Sequence, residues 1–230
     1  EMAEERIAER IDANLLDVTM EDLHDMPQQL YEGKISKLRE KTQGQLVIKE
    51  YPTASAHAGH FKSLMNELAL KKSFRPDVIF IDYLNICASS RFKGGNISSY
   101  FYIKAIAEEL RGLAVEHNVP IFSATQTTRT GFVSTDIGLE DTSESFGLPA
   151  TADFMFALIS NEELEALGQM KVKQLKNRYN DPSVNRAFII GVDRSKMRLY
   201  DVQQSSQNIV DSNQVDEKED AYNKFSDFKL

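Results

Sequence analysis

Apolar positions along this chain follow two periods that alternate. Ala3, Ile7, Ile11 and Leu15 recur every four residues among charges, the stripe of an amphipathic helix. Pro27 opens a second predicted helix carrying Leu30, Tyr31, Ile35 and Leu38, and residues 45–51 (QLVIKEY) read as a strand between Gly44 and Pro52. A third helix carries Phe61, Leu64, Met65 and Leu68 on one face and stops at Arg75-Pro76. There the pattern changes to an unbroken run, Val78-Ile79-Phe80-Ile81, that ends on one acid, Asp82. The clearest helix follows at about 100–117, with Ile103, Ile106, Ala107, Leu110, Leu113 and Ala114 opposite Lys104, Glu108, Arg111 and Glu116. Pro120 introduces another short strand, IFSAT, which leads to Gln126.

Continuous apolar strands alternating with amphipathic helices predict an α/β fold with a parallel sheet covered on both faces. The second half differs. Residues 153–159, 170–178, 186–193 and 197–202 read as strands joined by short turns, an antiparallel extension of the sheet. From about residue 203 to 230 the composition turns to Gln, Ser, Asn, Asp, Glu and Lys, an acidic and flexible tail with a small aromatic ending. Two regions are therefore expected, a core over 1–202 and a tail over 203–230.

Composition narrows the function classes. The 230 residues carry a net charge of −8, so a basic footprint over the whole surface is absent, though a local groove for single strands needs only a few cations and rings. The single cysteine, Cys87, excludes an internal disulfide framework and suits a reducing compartment. The apolar runs are of strand length and the N-terminus is charged, which predicts an intracellular protein without a membrane span or a signal peptide. Because EMAEERIAER is helical from its first residues and no methionine leads, a fragment that begins inside a domain is expected.

In parallel α/β sheets ligands sit beyond the carboxyl ends of the strands, where this chain places Asp82 and Gln126. An acid after four apolar residues suits Mg²⁺ held through water, and a neutral amide beside it suits sensing a γ-phosphate or positioning water. Either residue alone is better explained by an ordinary turn; together, on two strands separated by one helix, they point to a nucleotide site. Lys176 and Arg178, two apart on a predicted strand, share a face and need solvent or an anion there. An edge strand protected by charge is the simpler reading of that pair alone. The loop at 88–99 combines Arg91 and Lys93 with Phe92, Tyr100 and Phe101 beside it, and the next combines Arg129 with Phe132, a composition that suits single-stranded nucleic acid. His57 and His60 lack metal-ligand spacing and read as helix-start residues. No G-x-x-x-x-G-K-[ST] phosphate loop occurs in the sequence, so either the nucleotide reading fails or that loop lies before residue 1.

Taken in order, DVIFIDYLNI, SATQTTR, ESFGLPATADFMFAL and KQLKNRYND resemble successive motifs in the motor domain of DnaB-type replicative DNA helicases, above all those of T-even-like tailed phages. The likeness covers roughly residues 1–200, and the opening EMAEERIAERIDANLLDV resembles the segment that begins at the family's catalytic glutamate. The resemblance implies a RecA-like, mostly parallel sheet flanked by helices, with the N-terminal part of the core missing, working as a homohexameric ring on single-stranded DNA with ATP or another NTP and Mg²⁺. It implies that Glu1 polarises the attacking water, Asp82 holds Mg²⁺ through its water, and Gln126 couples the γ-phosphate to DNA. It further implies that Arg178, with Lys176 beside it, is offered to a neighbouring subunit's nucleotide, that Arg91, Lys93 and Arg129 follow the strand, and that the parent meets a primase and a loader. The family's phosphate-loop lysine and its primase-contacting domain have no counterpart here, so the chain alone is expected to hydrolyse little ATP. A RecA/RadA-like recombinase and a non-catalytic DNA-binding or oligomerisation module are the alternatives.

Overall fold

The computed structural model describes residues 2–92, 97–127, 138–139, 147–181, 184 and 186–203. Residues 204–230 of the predicted tail, Glu1, Lys93 and Arg129 thus lie outside the described residues. In chain order the elements of the first half are α1 (Glu4–Leu16), α2 (Met20–Asp25), α3 (Gln28–Lys41), α4 (Ala58–Lys72), β1 (Ile79–Ile81), α5 (Ser99–His117) and β2 (Ile121–Ser123), with a 3-10 turn at Leu84–Ile86. The second half has α6 (Gly147–Thr151), β3 (Phe154–Ile159), α7 (Glu162–Ala166), β4 (Gln169–Asn177), β5 (Ala187–Asp193) and β6 (Arg198–Asp201). The chain divides into two compact units: residues 50–156 with 175–182, and residues 2–49, 157–174 and 183 onward.

The first unit is built on a parallel pair. Ile79, Phe80 and Ile81 of β1 stand beside Ile121, Phe122 and Ser123 of β2, and α5 is the crossover between them. Because side chains alternate along a strand, one face of the pair carries Ile79, Ile81 and Ile121 while the other carries Phe80 and Phe122. Ile81 packs against a cluster of Leu84, Cys87, Ile103, Ile106, Ala107, Leu110 and Leu148, bordered by Phe61 and Tyr102. Ile106 is its centre at 1% exposure. Burial pushes the Cys87 thiol up to about 11, which leaves a packing residue rather than a nucleophile. The opposite face is open: Phe80 is 73% and Phe122 50% exposed, their rings stacked with centroids 5.3 Å apart. Among the described residues the expected cover on both faces is therefore found on one face only, although the predicted architecture holds.

Local signals set the element ends. His57 starts α4 as expected, its Nδ1 accepting from the Gly59 N–H while its own N–H donates to His60 Nδ1. Asn118 ends α5 in the left-handed region at φ 51°, where its N–H meets the carbonyls of Ala114 and Val115. Just beyond the 3-10 turn, Glu109 of α5 grips the chain. Its carboxylate accepts from the Ser89 hydroxyl at 2.5 Å, the Ser90 hydroxyl at 2.7 Å and the Ser90 N–H. The Ser89 N–H is taken by the Tyr102 hydroxyl.

In the second unit, α1 buries Ala13, whereas Leu15 of the predicted stripe is half exposed. Pro27 precedes α3 as expected, and Tyr31 of α3 donates to Asp12. The β5–β6 turn meets the end of α1, where Asp17 accepts from Lys196 and Arg198 and Asn14 donates to the Met197 carbonyl. The four strands of the second sheet lie in the order β3-β4-β5-β6, with β4–β5 and β5–β6 antiparallel. Gly191 lets the Tyr200 ring lie over it; a Cβ there would come 2.3 Å from the ring, and that exposed side chain would have to swing away. Residues 45–51 form no strand, a correction to the reading above. Leu46 is exposed, and a strand needs a ladder partner, which this stretch lacks among the described residues. No described helix is long and apolar enough to cross a membrane.

Glu109 yields a pH signature. Burial raises its carboxyl, and the bonds from Ser89 and Ser90 and the backbone overcome that, holding it below the usual 4.5. A depressed folded value stabilises the fold above the unfolded value and ceases to do so as pH falls through the folded one. The thermal stability advantage of wild type over Glu109→Gln is thus expected to be full above pH 4.5 and to shrink below it. A constant difference across that range would refute the assignment.

Candidate functional site

The pairing of β1 with β2 puts Asp82 and Gln126 at neighbouring strand ends. Three bonds tie those ends together: the Leu84 N–H to the Ala124 carbonyl at 3.1 Å, the Ser123 hydroxyl to the Ile81 carbonyl at 2.8 Å, and the Thr125 hydroxyl to Asn85 Oδ1 at 2.8 Å. The Gln126 amide Nε2 donates to the Tyr83 hydroxyl at 3.3 Å, so it reaches the residue that follows Asp82. The Asp82–Tyr83 peptide is cis.

Asp82 itself is exposed, and among the described residues no cation or donor pairs with it. The desolvation cost that a buried carboxylate would carry does not arise in this chain. Its chemistry fits one role in metal binding: a lone hard oxygen donor suits Mg²⁺, which keeps most of its water and takes one or two carboxylates. Among the described residues no group of three or more His, Cys, Asp and Glu side chains could form a complete protein cage.

A second cluster forms where β4 ends. Lys176 donates to the Pro149 carbonyl at 2.5 Å, and Arg178 donates to Asp153 Oδ1 at 2.7 Å and to the Ala150 carbonyl at 3.3 Å. The other oxygen of Asp153 meets Arg111 of α5 at 2.8 Å, and Arg111 also donates to the Thr151 carbonyl. Three cations thus gather round one carboxylate, an excess of positive charge suited to an additional anion. Burial lowers the Lys176 ammonium, Arg178 and Arg111 lower it further, and Asp153 acts in the opposite sense. Sequence reading found Lys176 and Arg178 by their spacing and missed Asp153 and Arg111.

The loop cations divide differently. Arg91 is described and is held by Glu108 of α5, while Lys93 and Arg129 lie outside the described residues, as does Glu1. The polar face of α5 is fully engaged. Lys104 lies 3.9 Å from Glu108, Glu108 meets Arg91, Arg111 meets Asp153, and Glu116 meets Lys62 of α4. Glu108 was legible as a charge on that face, yet nothing in the sequence marked Glu109 as the anchor of residues 89 and 90.

The chain is similar to several known proteins. The family model described as DnaB-like helicase C terminal domain matches residues 1–209. A DnaB-like replicative helicase of Enterobacteria phage T4 is 47% identical over 209 residues, covering 90% of this chain and 44% of that protein. A probable plasmid replicative DNA helicase of Chlamydia trachomatis is 35% identical over 134 residues, covering 56% of this chain and 27% of the relative. This chain therefore spans less than half the length of these relatives. Among solved structures, an ATPase domain matches with a TM-score of 0.70 at 17% identity, over 88% of this chain and 72% of that one. A DnaB-like replicative helicase studied with its primase interactions matches with a TM-score of 0.69 at 17% identity, over 88% of this chain and 49% of that one. Those two likenesses establish a RecA-like fold, and the family match over residues 1–209 leads to one conclusion: the chain belongs to the DnaB-like helicase C-terminal domain family.

Proposed function

We propose that this chain is the C-terminal part of an ATP-driven replicative helicase motor that assembles as a homohexameric ring and translocates on single-stranded DNA. The observation that carries the reading is the placement of Asp82 and Gln126 on paired parallel strand ends, in a chain 47% identical to a phage replicative helicase over 209 residues. The recombinase and the non-catalytic module are not favoured, because the family and the relatives are replicative helicases.

The residues divide the work by their chemistry. Asp82 would hold Mg²⁺ through water, the metal would neutralise phosphate charge, and the nucleotide's terminal phosphoryl group would pass to water with the nucleoside diphosphate as leaving group. Glu1 orients and polarises that water. Gln126, uncharged and bonded to Tyr83, reads the γ-phosphate side and passes its state to the loop behind it. The phosphate-cradling loop is assigned to a part of the motor outside these 230 residues, because the sequence contains no such motif. Arg178, held by Asp153 beside Lys176, is offered to a neighbouring subunit's nucleotide, which supplies the anion that the excess positive charge calls for. Arg91, Lys93 and Arg129 follow the strand's phosphates. Primase and a loader are the partners assigned to the whole motor, and one structural neighbour is named for its interactions with primase.

The test uses rings of a polypeptide that carries both this chain and a phosphate loop. Arg178→Ala is expected to change stability by no more than about 1 kcal/mol, since its ion pair with Asp153 is partly exposed. Hydrolysis is expected to fall by about a thousandfold or more, the usual weight of an arginine finger. Doping the variant into wild-type rings is expected to reduce ATPase more steeply than the mutant fraction. Asp82→Asn subunits keep Arg178, so mixing them with Arg178→Ala subunits is expected to restore some ATPase, and a mixture that stays inactive would place the finger in its own subunit's site instead. For the strand, combined neutralisation of Arg91, Lys93 and Arg129 is expected to weaken binding and flatten the slope of log K against log salt by about 0.7 per lost contact. An unchanged slope would remove those residues from the phosphate path.

A further inference from the structure

The start of the loop after β1 and the first turns of α5 border an open, shallow cleft of about 580 Å³, lined by Arg91, Phe92, Ser98, Phe101, Lys104 and Glu108. That volume lies in the range of small-molecule sites, about 300–1,000 Å³. Its chemistry is specific: two cations, two rings and one acid. Phe101 is well exposed, and Phe92 leans on Tyr102 with ring centroids 6.5 Å apart. Glu108 stands between the cations, one carboxylate oxygen taking the Arg91 guanidinium and the other 3.9 Å from Lys104 Nζ.

Two observations separate Glu108 from an ordinary surface partner. First, the backbone at Arg91 is fixed without it: the Arg91 N–H donates to the Ser89 hydroxyl at 3.2 Å, and Ser89 and Ser90 are held by Glu109. Releasing the guanidinium from Glu108 therefore leaves the loop's anchor in place. Second, Lys104 and Glu108 lie four apart on α5, so the carboxylate that occupies Arg91 also screens the other cation of the cleft.

We propose that this cleft is a subsite for one nucleotide of single-stranded nucleic acid, and that Glu108 is an internal competitor displaced by the strand's phosphate. The phosphate takes the place of the carboxylate between Arg91 and Lys104, and the base lies against Phe92 and Phe101, where stacking tolerates any sequence. Displacement is easy because an exposed ion pair is worth at most about fivefold in an equilibrium constant. The device keeps Arg91 paired until a strand arrives. It rests on the reading of residues 88–99 as a strand-contacting loop.

The experiment titrates labelled oligothymidylate with the full chain and follows anisotropy at several salt concentrations. Glu108→Gln is expected to tighten binding by about two- to fivefold, within the range that an exposed pair can oppose. That gain is expected to shrink in an Arg91→Ala background, where Glu108 opposes the phosphate through Lys104 alone, and the difference is the coupling that a double-mutant cycle reads. Lys104→Ala and Phe101→Ala are each expected to weaken binding severalfold. If Arg91→Ala weakens binding while Glu108→Gln does not tighten it, the competitor role is overturned and the loop reading stands. If Arg91→Ala acts but Lys104→Ala and Phe101→Ala do not, the cleft is overturned as a subsite. If none of the four changes binding, the subsite and the loop reading fall together.

Discussion

Three paired positions, Ile79 with Ile121, Phe80 with Phe122 and Ile81 with Ser123, decide where the candidate chemistry goes. Side chains alternate with a period of two, so a slip of one residue would turn the isoleucines outward and the phenylalanines onto α5. The same register sets Asp82 beside the end of β2, close enough for Gln126 to reach Tyr83. The bonds beyond the strands, from Leu84 to Ala124 and from Thr125 to Asn85, extend the pairing past the last strand residue. A three-residue pair would be weak on its own. Here it is backed by a cluster with Ile106 at its centre and closed by side-chain bonds at its tip.

α5 joins functional parts of the first unit through its polar face. Glu109 anchors the chain after the 3-10 turn, Glu108 holds Arg91, and Arg111 shares Asp153 with Arg178. The loop and the arginine cluster therefore both bear on one helix whose other face is the core. Glu109 combines partial burial with several hydrogen bonds, and its carboxyl is accordingly shifted. The exposed pairs are weaker and more easily exchanged, as suits contacts that would be remade when a ligand arrives.

Long periodic segments were legible in the sequence, and short or long-range features were not. The α5 stripe, the His57 start of α4, the apolar run before Asp82 and the later strands could all be read from period and punctuation. The six residues of α2 and the five of α6 and of α7 are too short for a helical period to stand out. Residues 45–51 have strand-like composition, but a strand is a pairing, and pairing is not a local property. The Asp153–Arg178 and Ser89–Glu109 contacts span 25 and 20 residues, so only the fold brings them together. Spacing did reveal Lys176 and Arg178, because the period of a strand put them on one face before any partner was known. The both-face rule for parallel sheets misjudged Phe80 and Phe122, whose outward face no described residue covers.

That open pair of rings governs how the isolated chain behaves in solution. Stacked phenylalanines on an uncovered sheet face attract one another between molecules, and the net charge of −8 opposes this by mutual repulsion. The balance is colloidal rather than structural. It weakens as salt screens the repulsion or as pH approaches the isoelectric point near 5.1, so this polypeptide would precipitate under conditions in which its fold is intact.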